Sequence, residues 1–201
     1  ERELRTSSRM FEFTFKMFGR GSATVPAKGM GEIPKQLATL LPEGTIELNQ
    51  KVCGVDPDRV TLSSGQRMDV STVVIATNAS CAQQLLPSMS LPKPEWRSVT
   101  NLYFAAESSP VDEPIICLNG SGSGIVNNVC AMTDASPAYS ADGRALLSVS
   151  VLGLPDTDGL TERVKNELIA WFGEEVIGWT HLRTDRIKEA LKISPGETTE
   201  G

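Results

Sequence analysis

Few residues in this chain are equipped to do chemistry, and they are scattered. His181 is the single histidine, so neither a multi-histidine metal site nor a relay of imidazoles is expected. It alternates with Arg183 and Asp185, where it could pair with a serine as a general base, but the alternation reads first as a solvated strand position. Cys53, Cys81, Cys117 and Cys130 form no CxxC pair and read as small buried residues in a reducing compartment. The carboxylates are dispersed, so no glycosidase-like pair stands out. Gly120-Ser121-Gly122-Ser123-Gly124 resembles a phosphate-cradling loop, but such a loop must open a helix. Ile125-Val126-Asn127-Asn128-Val129 follows it and reads as strand, so a hairpin turn is expected instead.

The bulk composition narrows the classes further. Of 201 residues, 40% are hydrophobic and 22% charged, ordinary values for a globular chain with room for one good core or two small ones. A net charge of −6 without a Lys/Arg cluster argues against nucleic acid as a partner. No run of 18 apolar residues is present, so no transmembrane segment is expected, although peripheral membrane contact stays open. The chain opens on Glu1-Arg2-Glu3 with no signal peptide, and residues 194–201 are polar. Both ends read as cuts through a longer intracellular protein of the cytoplasm or plastid. The Asn78-Ala79-Ser80 and Asn119-Gly120-Ser121 glycosylation patterns then read as chance.

The elements that must position these residues come next. Met10, Phe11, Phe13, Phe15, Met17 and Phe18 fit a helix at 11, 15 and 18 and a strand at 11, 13, 15 and 17. Such a stripe reads as core, with an apolar tunnel or a membrane face as the other readings. Glycines and Pro26 make a loop, after which Ile33, Leu37, Leu40 and Leu41 predict a short helix with Pro34 in its first turn. Short strands are expected at 46–48, 52–55, 60–62 and 68–70, with Ser63-Ser64-Gly65-Gln66 as a hairpin turn. Val73-Val74-Ile75-Ala76 is an unbroken β-branched run, as in a parallel strand buried on both faces. Pro87, Pro92 and Pro94 form a linker. Beyond it, longer strands are expected at 99–106, 115–118, 125–132 and 145–152, and a last one at 179–187. Between the last two, Leu160, Val164, Leu168, Trp171 and Phe172 mark a helix with Asp158 as N-cap and Gly173 past its end.

Residues 24–77 carry a family resemblance. Val25-Pro26-Ala27-Lys28-Gly29-Met30-Gly31-Glu32-Ile33-Pro34-Lys35-Gln36-Leu37-Ala38 resembles the P-x-G-G-M-x-x-L/I-x-x-x-L-A segment of flavin amine oxidases, protoporphyrinogen oxidases and phytoene desaturases. Lys28 stands where the first glycine of that pair often lies. Ile46-Glu47-Leu48-Asn49-Gln50-Lys51-Val52 and Val73-Val74-Ile75-Ala76-Thr77 follow in the order these enzymes use, with Ser71-Thr72 in place of their Ala-Asp. More loosely, Trp179-Thr180-His181-Leu182-Arg183 is similar to a W-x-x-x-R stretch near the family's C-terminal flavin motif.

The resemblance implies an FAD-dependent oxidoreductase of which this is an internal segment. The implied fold is α+β from an α/β parent: an incomplete FAD/NAD(P)-binding domain fragment plus a mixed-sheet substrate domain with helices on one face. Residues 1–22 and 88–190 would form the substrate domain, 23–86 the partial FAD-binding domain and 191–201 a polar tail. Val52 would offer its backbone N–H and C=O to adenine, while Ala76 and Thr77 would let a strand end approach the dinucleotide. Gly29 and Met30 would lie near the flavin or the substrate entrance. The family's N-terminal strand–GxGxxG–helix unit is not in this sequence, so the segment alone should hold FAD poorly or not at all. Asn101 falls where many amine oxidases place a lysine that orders water at the flavin, which favours dehydrogenation of a small or apolar substrate over amine oxidation. No catalytic acid or base is assigned. A non-catalytic domain binding a ligand or a protein on the same fold is the alternative.

Overall fold

Alternation in the second half of the chain builds the larger of two units. The computed structural model describes residues 8–21, 24–89 and 95–193. In chain order its elements are α1 (Ser8–Phe18), α2 (Glu32–Ala38), β1 (Val52–Asp56), β2 (Arg59–Leu62), β3 (Arg67–Asp69), α3 (Ala79–Leu85), β4 (Glu95–Ala106) and β5 (Ile116–Leu118). They continue with β6 (Val126–Ala131), α4 (Met132–Ala135), β7 (Ala145–Leu152), α5 (Leu160–Phe172) and β8 (Thr180–Ile193). One compact unit comprises residues 1–33 and 96–201, the other residues 34–95. The fold class is α+β.

The sheet unit holds five strands in the order β5-β6-β7-β4-β8. On β7, Ala145, Leu147, Val149 and Val151 are buried while Leu146, Ser148 and Ser150 between them are half-buried, the period of two that a one-sided sheet imposes. Leu102 and Phe104 on β4 and Val129 and Ala131 on β6 share the buried face. Leu160, Val164 and Leu168 stand one turn apart on α5 and close this core together with Val176 and Trp179. Each fully buried Leu or Phe stabilises the unit by about 1.5–3 kcal/mol relative to exposure. Lys165 adds a polar fastening from α5, its ammonium donating to the carbonyls of Ile177 at 2.9 Å and Trp179 at 3.0 Å.

Several expectations change here. The registers of β4 with β7, β5 with β6 and β6 with β7 are all antiparallel. β6 ends at Ala131, where Met132 starts a helical turn. The N-cap of α5 is Gly159 in the left-handed region and not Asp158, whose N–H turns back to the Asp156 carboxylate at 3.1 Å. α1 resolves the helix-or-strand ambiguity of residues 10–18 in favour of a helix.

The smaller unit is an antiparallel meander, β1-β2-β3, with Val55 opposite Val60 and Thr61 opposite Arg67. The expected turn at Ser63–Gln66 is present, closed by the Leu62 N–H on the Gln66 carbonyl at 2.9 Å. Asn78 caps α3, its side chain accepting from the Cys81 N–H at 2.8 Å. Among the described residues of this unit Leu62 alone is buried. The strand expected at 46–48 is absent, with Leu48 77% exposed and Asn49 in the left-handed region. The strand expected at 73–76 is absent too, and Val74 is 85% exposed. A buried parallel strand needs a neighbour to pair with and cover on both faces, and the described residues of this unit offer only the antiparallel meander. Residues 194–201 of the expected polar tail lie outside the described residues.

Candidate functional site

The five residues expected to touch a dinucleotide fall into both units. Val52, Ala76 and Thr77 belong to the smaller one. Val52 opens β1 opposite Leu62 and is half-buried, with a register shift between it and Gly54 that loosens the ladder there. Ala76 and Thr77 are exposed and immediately precede the Asn78 cap of α3, which packs beside β1. The Thr77 hydroxyl donates to the Asn78 carbonyl at 3.2 Å. The strand that begins at Val52 and the helix that follows Thr77 are therefore neighbours.

Gly29 and Met30 belong to the sheet unit, although the sequence groups them with the 23–86 piece. Two side-chain donors hold their loop: the Tyr139 hydroxyl on the Pro26 carbonyl at 3.0 Å and the Ser136 hydroxyl on the Ala27 carbonyl at 3.2 Å. Gly29 has φ +96 and closes a turn by donating to the Pro26 carbonyl at 3.0 Å, a conformation that favours glycine. Met30 is 62% exposed.

Six further positions clarify the chemistry available. Asn101 is only 8% exposed, and its side chain is fully engaged. Its amide donates to the Ser148 hydroxyl at 3.0 Å, while its carbonyl accepts from Ser150 at 2.9 Å and from Ser148 at 3.2 Å. This neutral knot across β4 and β7 offers no base. His181 pairs with the Thr184 hydroxyl at 2.8 Å and sets its ring against Phe104, with centroids 5.5 Å apart, so the serine pairing is not formed. All four cysteines are free, but Cys53 and Cys81 are exposed and Cys117 and Cys130 half-buried, which corrects their reading as buried residues. Burial pushes the Cys130 thiol up, and Asp134 and Cys117 add to it.

The residue that pattern reasoning missed is Glu167 on α5. Its carboxylate accepts from the Ile125 N–H at 2.7 Å, the Val126 N–H at 3.3 Å and the Asn119 side-chain amide at 3.3 Å. The glycine-rich loop between β5 and β6 is thus a hairpin turn, as expected, and its converging N–H groups are filled by an internal anion. No local pattern near Gly124 announces a partner 43 residues away in sequence.

A cleft of about 240 Å³ opens where β4 ends, lined by Glu107, Ser109, Asp112, Thr133 and Asp134 among others. Its three carboxylates repel anions. Ser109 donates to Asp134 at 2.6 Å, and among the described residues no acidic, cysteine or histidine group is arranged to hold a metal. A flavin dinucleotide brings a pyrophosphate that needs several open backbone N–H groups. The glycine-rich loop is occupied, and α2 begins on the negative charge of Glu32. Neither of these two places therefore fits the pyrophosphate, while Ala76 and Thr77 are exposed just ahead of the Asn78 cap of α3.

Comparison with known proteins gives the family. A structure of a putative protoporphyrinogen oxidase from Exiguobacterium sp. 255-15 superposes with TM-score 0.63 at 15% identity, over 84% of this chain and 41% of that one. A reduced UDP-galactopyranose mutase gives 0.60 at 12%, over 86% and 41%. A Pyrococcus furiosus protein gives 0.53 at 11%, over 71% and 38%. At these identities the likeness is one of fold, and the chain spans about two-fifths of the structures it matches. Curated proteins return no sequence match. The family model for flavin containing amine oxidoreductases matches residues 1–187, nearly the whole chain. The chain belongs to the flavin containing amine oxidoreductase family.

Proposed function

We propose that this chain is the substrate-domain portion, with one piece of the cofactor domain, of an FAD-dependent enzyme that oxidises or desaturates a small or apolar substrate by hydride transfer to flavin. The flavin, when bound, supplies the electron acceptor, and the protein supplies position and an apolar pocket. The observation that carries this reading is the family match over residues 1–187. In the smaller unit, the Val52 backbone and the short side chains of Ala76 and Thr77 serve the adenosine half. Gly29 and Met30 take the roles their motif implies near the flavin or the substrate entrance. Asn101, a neutral amide fixed in place by Ser148 and Ser150, supports dehydrogenation of a C–H bond over chemistry that needs a basic side chain at that place.

The test is made on the full-length protein. It is purified, its visible spectrum recorded, and candidate amines, porphyrinogens and polyenes are added without oxygen. A bound flavin that bleaches with a porphyrinogen or polyene supports the reading, and bleaching with amines alone overturns the choice of substrate class. Colourless protein that releases no flavin on denaturation overturns the enzyme reading and favours a binding domain on the same fold.

A further inference from the structure

α1 presents an apolar surface that its own unit does not bury. None of its 11 residues is buried, and Phe11, Phe13, Phe15 and Phe18 are 59–63% exposed. Successive residues advance about 100° round a helix. On that wheel Met10, Phe11, Phe13, Phe15, Met17 and Phe18 cover an arc of roughly 200°, leaving a narrow stripe for Ser8, Arg9, Glu12 and Lys16. Thr14 is the one polar residue inside the apolar arc, and its hydroxyl proton is already spent on the Met10 carbonyl at 2.9 Å. The arc therefore enters an apolar medium without a stranded donor. The Phe11 and Phe15 rings lie 4.4 Å apart and form one continuous patch.

The charges beside the patch point the same way. Arg9, Lys16 and Arg20 stand against Glu12, a surplus of two positive charges in a chain whose net charge is −6. A lipid interface meets the whole arc and leaves the cationic stripe at the level of the phosphates. The helix is too short and too polar on one side to cross a bilayer, and among the described residues no helix is long and apolar enough to do so.

We propose that α1 is an interfacial anchor, lying in the plane of an anionic lipid surface with Phe11, Phe13, Phe15 and Phe18 below the headgroups and Lys16 and Arg20 on the phosphates. This assignment does not depend on the redox reading above.

Flotation of the full-length protein with vesicles tests it, using phosphatidylcholine alone or phosphatidylcholine mixed with phosphatidylserine. The expected result is binding to the mixed vesicles only, weakened by salt. Binding should fall at least about tenfold in Phe11→Ser/Phe15→Ser/Phe18→Ser. Lys16→Glu/Arg20→Glu, which leaves the apolar arc alone, should lose it as well, and hydrogen exchange in β4 and β7 reports that either variant is folded. The proposal is overturned if mixed vesicles are not bound or if folded variants bind as the parent does. It is also overturned if the α1 amides of lipid-free protein exchange as slowly as those of β7, since protein would then cover the patch. Break-up of a dimer by the serine variant would likewise overturn it in favour of a second copy.

Discussion

Truncating Glu167 should free the hairpin loop that it clamps. Its carboxylate takes the N–H groups of half-buried Ile125 and buried Val126 and the amide of half-buried Asn119. A buried donor left without a partner costs about 1–3 kcal/mol. Water reaches half-buried groups, so Glu167→Ala should destabilise the sheet unit by about 2 kcal/mol, or roughly 4–8 °C in melting temperature. Gly124 sharpens the test. A Cβ built there would collide with the Glu167 carboxylate, and the residue has φ +83. Gly124→Ala should cost about 1–2 kcal/mol for the left-handed backbone alone and more for displacing the carboxylate. With Glu167 already alanine the second cost vanishes, so the double variant should be milder than the sum by about 1 kcal/mol. Amide exchange at Ile125 and Val126, read beside thermal unfolding, reports both effects. Unchanged exchange at these two amides in Glu167→Ala, or strict additivity in the cycle, would refute the clamp.

Two other outcomes follow from local electrostatics. Cys130, whose thiol is pushed up by burial and then by Asp134 and Cys117, should alkylate more slowly near neutral pH than exposed Cys53 and Cys81, and equal rates by mass spectrometry would contradict this. Donation from the Arg144 side chain at 2.8 Å, then from its backbone N–H and from Ser140, holds the Asp142 carboxyl below the usual carboxylate range. A lowered carboxyl contributes its stabilisation above the unfolded-state value and loses it as pH falls through the folded one. Arg144→Ala should therefore raise the Asp142 titration in an NMR pH series, and an unmoved midpoint would count against the pairing.

Where the sequence was informative, its periods were strong and local. Leu147 to Val151 alternates apolar residues with serine, and Leu160, Val164 and Leu168 recur one turn apart, so β7 and α5 lie where the pattern puts them. The Ser63–Gln66 turn could also be read from its residues alone. Val73–Ala76 shows the limit of such reading. An apolar β-branched run states a preference for burial between strands, but only neighbouring strands can satisfy it, and the meander of the smaller unit provides none there. Residues 10–18 carried both periods at once, and the helix is the observed answer.

The candidate site divides along the same line. Motif order in residues 24–77 was enough to point to the flavin family, because close backbone approach demands small residues and turns at set places in the chain. Long-range contacts decided the rest. The hydroxyls of Ser136 and Tyr139 tie the Gly29–Met30 loop to the sheet unit across more than 100 residues of chain. Asn101 became a locked hydrogen-bonding knot only when β7 brought Ser148 and Ser150 alongside it. Residue types and spacing determine which elements form, since helix and strand periods are local. Which side chains meet depends on packing between distant segments, and the occupied loop beneath Glu167 was settled there.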